Sequence, residues 1–153
     1  MAFRILYNAA SDLSATVVTA SSQGTSNTDG NVQDERVGKV WRTDSDTAEW
    51  IKFDLVVTSK KVDVIGIFNH NLTASAVVTL EGHTSDSWGT PDVSETLTIA
   101  TDGDGNVIPR IVHHFTQATK RWWRLTIDDP TNSDGYIQIG RVMFGEVYEV
   151  TRE

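Results

Sequence analysis

Between positions 40 and 72 the chain reads Val40-Trp41-Arg42-Thr43, then Glu49-Trp50-Ile51-Lys52-Phe53-Asp54-Leu55, then Val62-Asp63-Val64-Ile65-Gly66-Ile67-Phe68-Asn69-His70-Asn71-Leu72. Two runs rich in β-branched and aromatic residues, 50–57 and 62–68, flank the polar connection Thr58-Ser59-Lys60-Lys61. That is the pattern of adjacent antiparallel strands. In the second run Val62, Val64 and Phe68 fall on one face and Ile65 and Ile67 on the other. A strand apolar on both sides belongs in the interior of a sheet.

Working outward, the same signals recur at 15–20, 76–82, 95–100, 110–115, 122–127 and 136–147. Turn-forming clusters separate them at 21–30, 85–92, 101–106 and 128–135. Short strands at regular spacing predict a sandwich or barrel. Trp123, Leu125 and Ile127 alternate with Arg124 and Thr126, so that strand has one polar face. The one helical expectation is a turn or two over 32–40, opening after Asn31 with acids early and Lys39 late.

The 153 residues, 39% of them hydrophobic, suit one domain with one core. A formal charge of -8 disfavours nucleic acid, and alternation splits Arg121 from Arg124 across a strand. Without cysteine there is no disulfide or thiolate metal site, which fits assembly in a reducing cytoplasm. No signal peptide is written at the start, and no apolar window is long enough to span a membrane as a helix.

Five segments in order resemble the discoidin, or coagulation factor 5/8 type C, group of galactose-binding-like β-sandwiches. They are Trp41-Arg42-Thr43, Trp50-Ile51-Lys52-Phe53-Asp54-Leu55, the 62–68 strand, Lys120-Arg121-Trp122-Trp123-Arg124-Leu125, and 137–145. The resemblance covers about residues 15–147 and implies an all-β fold, an antiparallel jelly-roll sandwich of eight to ten strands, as a single domain over 1–153. Val56 departs from the family's usual Gly after Asp-Leu, so the turn there should be longer or differently shaped. The wording Ile67-Phe68-Asn69-His70-Asn71-Leu72-Thr73, with Thr19-Ala20-Ser21-Ser22, is similar to proteins encoded among the tail genes of tailed bacteriophages and prophages.

Among candidate site residues, Asn69, His70 and Asn71 gather amide and imidazole groups suited to sugar hydroxyls, or else they satisfy the backbone of a turn. Trp88, in the polar loop Ser85-Asp86-Ser87-Trp88-Gly89-Thr90-Pro91, either caps the core or faces a partner. The resemblance favours packing against the end of the sandwich. Trp41, Trp50 and Trp123 read as core, and Trp122 has the opposite parity to Trp123. The resemblance also implies a structural calcium ion near Asn31 and Asp34. Asp102-Gly103-Asp104-Gly105-Asn106 opens like a calcium loop, but His113 stands where a bidentate Glu is required, and a hairpin connection explains it equally.

Neither a nucleophile elbow nor a phosphate-cradling glycine loop is present, and the acidic pairs lie in solvated stretches. The expectation is therefore a non-enzymatic structural subunit of a phage virion, at the tail tip or baseplate, needing no cofactor beyond that calcium ion. It would be assembled in the host cytoplasm, released by lysis, and partnered by other tail proteins in a symmetric assembly. The alternative is a carbohydrate-binding module acting on a host-surface glycan. Apolar patches at 3–7 and 148–150 would dock partners or complete a sheet.

Overall fold

Eleven strands pair antiparallel throughout the computed structural model, which describes residues 3–6, 9–57 and 60–150. They are β1 (Phe3–Leu6), β2 (Val17–Ala20), β3 (Trp41–Arg42), β4 (Glu49–Asp54), β5 (Lys61–His70), β6 (Val77–His83), β7 (Val93–Leu97), β8 (Arg110–Thr119), β9 (Trp122–Asp128), β10 (Gln138–Gly145) and β11 (Val147–Val150). A five-stranded sheet in the order β2-β4-β9-β6-β7 faces a four-stranded sheet in the order β3-β10-β5-β8, and β1 and β11 form a separate ribbon. This is the expected all-β antiparallel sandwich.

The alternation that marks strands in the sequence also builds the core. Ile51, Phe53, Trp123, Leu125, Ile127, Val78 and Leu80 of the five-stranded sheet meet Ile65, Ile67, Ile111, Val142 and Phe144 of the other, all with 3% exposure or less. Aromatic rings bridge the layers: Phe53 meets Phe144 edge-on at 5.0 Å, and Trp123 lies 5.9 Å from both Phe144 and Phe115. Such contacts add about 0.5–1.5 kcal/mol each beyond area burial. Gly82 makes room for the largest of these rings, since a Cβ there would stand 2.9 Å from the Trp123 indole.

The interior placement of β5 holds, with β10 and β8 on its flanks. The predicted 136–147 strand breaks in two, so that β11 leaves the sandwich to pair with β1. The apolar ends at 3–6 and 147–150 thus complete a small sheet, while Tyr7, like the turn residues Thr58 and Ser59, lies outside the described residues. The helix expected over 32–40 is replaced by a 3-10 turn at Asp29–Gln33. Asp34 explains why: its carboxylate accepts the Arg36 backbone N–H at 2.9 Å and pairs with Arg36 and Lys39, a local arrangement that competes with helical bonding.

After Asp54 the chain turns through Val56, whose φ is +62°. A β-branched residue in the left-handed region stores about 1–2 kcal/mol of strain. The Asp54 carboxylate accepts the Val56 N–H at 2.8 Å and holds that turn. The glycine missing from the family pattern is one that this backbone would favour.

Candidate functional site

Strand direction divides the loops between the two ends of the sandwich, with 43–48, 71–76, 98–109 and 129–137 together at one end. There Asn69, at φ +56°, ends the regular alternation of β5 and donates its amide to the Val37 carbonyl at 2.7 Å. Gly140 admits this contact, because a Cβ would collide with both Val37 and Asn69. Asn71 donates to Asp134 at 2.9 Å and to the Tyr136 carbonyl at 3.0 Å, and accepts the Gln138 N–H at 2.7 Å. His70 is buried at 6% exposure, and its Nδ1 accepts the Leu72 N–H at 3.3 Å. Burial lowers its pKa to about 4, partly opposed by the charge of Asp129. The imidazole is therefore neutral, with its proton on a buried Nε2 that has no acceptor among the described residues.

These three residues come together, but the fold uses both amides and one imidazole nitrogen and buries the other. Trp88 is not with them. Its loop turns back over the outer face of the five-stranded sheet, where the indole N–H donates to Asp86 at 2.7 Å and the ring stacks on the Arg124 guanidinium at 4.5 Å. Trp88 thus neither caps the sandwich end nor enters the core.

The outward positions of β4 and β9 supply the rest of this surface. Ile51 and Phe53 point inward, so Trp50, Lys52 and Asp54 point outward, and by the same alternation so do Trp122, Arg124 and Thr126. Of the three tryptophans expected in the core, Trp41 and Trp123 are fully buried, whereas Trp50 is half-buried on the outer face. Lys52 Nζ sits between two indoles, 5.4 Å from Trp50 and 5.3 Å from Trp122. Trp50, Lys52, Asp86, Trp88 and Arg124 line a hollow of about 150 Å³.

The cations Lys52, Arg124 and Arg121 of this face are each tied to an acid, to Asp86, Glu81 and Asp54 respectively, each at 2.7 Å. The Lys52 ammonium holds the Asp86 carboxyl below the usual carboxylate range, and the Arg121 guanidinium does the same to Asp54. A carboxyl so stabilised in its ionised form is a poor general acid, one of the two carboxyl roles in glycoside hydrolysis. The buried indoles of Trp41 and Trp123 donate to the Ser22 and Lys120 carbonyls, but the N–H groups of Trp50 and Trp122 have no acceptor among the described residues. The surface therefore offers flat apolar rings, fixed donors and fixed acceptors side by side.

The donor set near Asn31 and Asp34 does not suit calcium. Asp34 is claimed by Arg36 and Lys39 at 2.9 Å each, which lowers its pKa, and Asn31 turns its amide N–H groups toward the Ser26 and Val40 carbonyls. The described residues contain no group of three or more His, Asp or Glu side chains placed to hold a metal ion. In the 102–106 loop, Asp102 accepts the N–H groups of Asp104 and Asn106 as a hairpin connection does.

No family model matches the sequence, and no curated protein matches it either. Solved structures do. Chitosan-binding module 1 of a chitosanase/glucanase from Paenibacillus sp. IK-5, in a selenomethionine-labelled mutant form, aligns over 90% of this chain and 98% of its own, with a TM-score of 0.65 at 21% identity. The CBM32 of AlyQ, in complex with 4,5-unsaturated mannuronic acid, aligns over 84% and 92%, with a TM-score of 0.62 at 22% identity. The lectin binding domain of lectinolysin, in a mutant form complexed with Lewis b, aligns over 93% and 98%, with a TM-score of 0.70 at 12% identity. The fold is that of the galactose-binding-like β-sandwiches. At these identities the likeness fixes architecture, and the site must be argued from this chain's own residues.

Proposed function

We propose that the protein is a non-enzymatic carbohydrate-binding module and that its glycan lies on the outer face of the five-stranded sheet. The observation that carries this reading is the hollow between Trp50 and Trp88, floored by Lys52 and Arg124 and edged by Asp86. Indole faces pack against the C–H faces of sugar rings, while ion-paired side chains present donors and acceptors to hydroxyls without a large loss of side-chain freedom. The structural neighbours include modules whose names record chitosan, a mannuronic acid and Lewis b as ligands, which supports the class of ligand rather than its identity. A glycan array tests it with wild type, Trp50→Ala and Trp88→Ala. Binding by the wild type and its loss in both variants is expected; an array without any hit, or hits unchanged in both variants, overturns the reading.

A second reading, a component of a phage tail, combines readily with the first, since a module on a particle can touch the host surface. The groove between β5, β8 and the β1–β11 ribbon favours it. Val64, Phe68, Val112, Met143 and Val147 line about 240 Å³ there, and Val112 and Tyr148 are more than half exposed. The residues that carry the phage resemblance act in the fold, with Ile67 in the core and Asn69 and Asn71 in internal bonds. Native mass spectrometry should show a symmetric oligomer; a monomer at micromolar concentration, together with its absence from purified virions, would remove this reading.

A further inference from the structure

We infer that the tryptophan face receives internal units of an uncharged, linear, β-linked polysaccharide and not a chain end. The inference deepens the glycan-binding reading above and rests on it.

Length is the first argument. Trp122 pairs with Asp54, four residues along β4 from Trp50. With about 3.3 Å per residue and about 4.8 Å between strands, the Cα atoms of Trp50 and Trp122 stand about 14 Å apart. Lys52 lies between the two rings, and Trp88 stands over Arg124, the residue paired with Lys52. The aromatic surface therefore runs diagonally across two strands and is longer than one sugar ring.

Openness is the second. A separate hollow of about 190 Å³, lined by Ala48, Glu49, Trp50, Val77, Thr126 and Asp128, continues the surface on the far side of Trp50. Trp50 thus forms a shared wall between two depressions, and neither is closed as a pocket for a terminal sugar would be. Equatorial β-links keep successive rings extended and flat, so one chain can lie over Trp50 and reach both.

Charge is the third. Lys52, Arg124 and Arg121 each have a carboxylate at 2.7 Å, so the face presents neutral pairs rather than free cations. Hydroxyls both donate and accept, and match such pairs. Acidic sugars would have to displace Asp86, Glu81 or Asp54, against a chain whose formal charge is -8.

The test is calorimetric titration with β-1,4-linked gluco-, manno-, xylo- and N-acetylchito-oligosaccharides from disaccharide to hexaose, with oligogalacturonate beside them. In at least one neutral series the hexaose should bind at least about tenfold tighter than the disaccharide, with little change between low and high salt. Trp122→Ala should weaken the hexaose by a larger factor than the disaccharide. Equal affinity for disaccharide and hexaose, a preference for oligogalacturonate that collapses in salt, or array hits confined to branched or α-linked glycans would overturn the inference and leave the glycan-binding reading intact. An array without hits would overturn both.

Discussion

The loop end around Asn69, His70 and Asn71 and the outer face around Trp50, Trp88 and Trp122 both carry side chains that suit a sugar, yet they differ in what is already spent. At the loop end the amides are bonded to Val37, Asp134, Tyr136 and Gln138, and the imidazole is buried. On the sheet face, cations and acids hold one another beside partly exposed indoles, two of whose N–H groups have no acceptor among the described residues. Recognition depends on groups that the fold leaves available, and residue type alone does not report this.

Substitutions should separate the two regions. The largest effect is expected from Asn71→Ala, which strips partners from the Gln138 N–H, the Tyr136 carbonyl and Asp134. It should lower stability by about 3 kcal/mol in urea unfolding, while glycan affinity, measured where the variant is folded, stays unchanged. A comparable loss of affinity would place the ligand at the loop end.

Acid should act on the same region through His70. Its folded pKa, about 4, lies below the ordinary 6.5, so the unfolded chain takes up a proton first as pH falls. Stability is then at its full value above about 6.5, declines from there to about 4 by about 2–3 kcal/mol, and levels off below as far as this group is concerned. Unfolding midpoints of wild type and His70→Leu across that window check it: the variant should show a flatter profile, and an equally steep one would assign the acid response elsewhere.

On the other face, Trp88→Ala should weaken glycan binding about tenfold, near 1.4 kcal/mol, and change the unfolding free energy by less, because the ring contacts Asp86 and Arg124 outside the core. A strongly destabilised variant would make Trp88 a structural residue. The smallest effect is expected at the turn that leaves β4, beside Asp54 at the edge of this face. Val56→Gly should raise stability by about 1 kcal/mol by relieving the left-handed strain, with no change in binding.

Periodicity made the sandwich legible, because β4, β6 and β9 each write their inward residues plainly. Trp123 follows from it, whereas Trp41, on the two-residue β3, was legible through the family pattern. Trp50 could have been placed correctly as well, since inward Ile51 and Phe53 force their neighbour outward, but its match to the family pattern suggested core. The path of the 84–92 loop was not legible, for no periodic signal describes a loop that folds across a sheet. Nor was the fate of His70, because the left-handed turn at Asn69 breaks the alternation from which its direction would be read. The 32–40 helix failed on a local competition, the bonds of Asp34, that acid-first patterning resembles from a distance.

The most direct test follows the five tryptophan indole N–H signals by NMR while the tightest-binding array glycan is titrated in. The signals of Trp50, Trp88 and Trp122 should move while those of Trp41 and Trp123 stay fixed. Shifts confined to the backbone amides of 69–76 and 129–138, with all five indoles unmoved, would contradict the account.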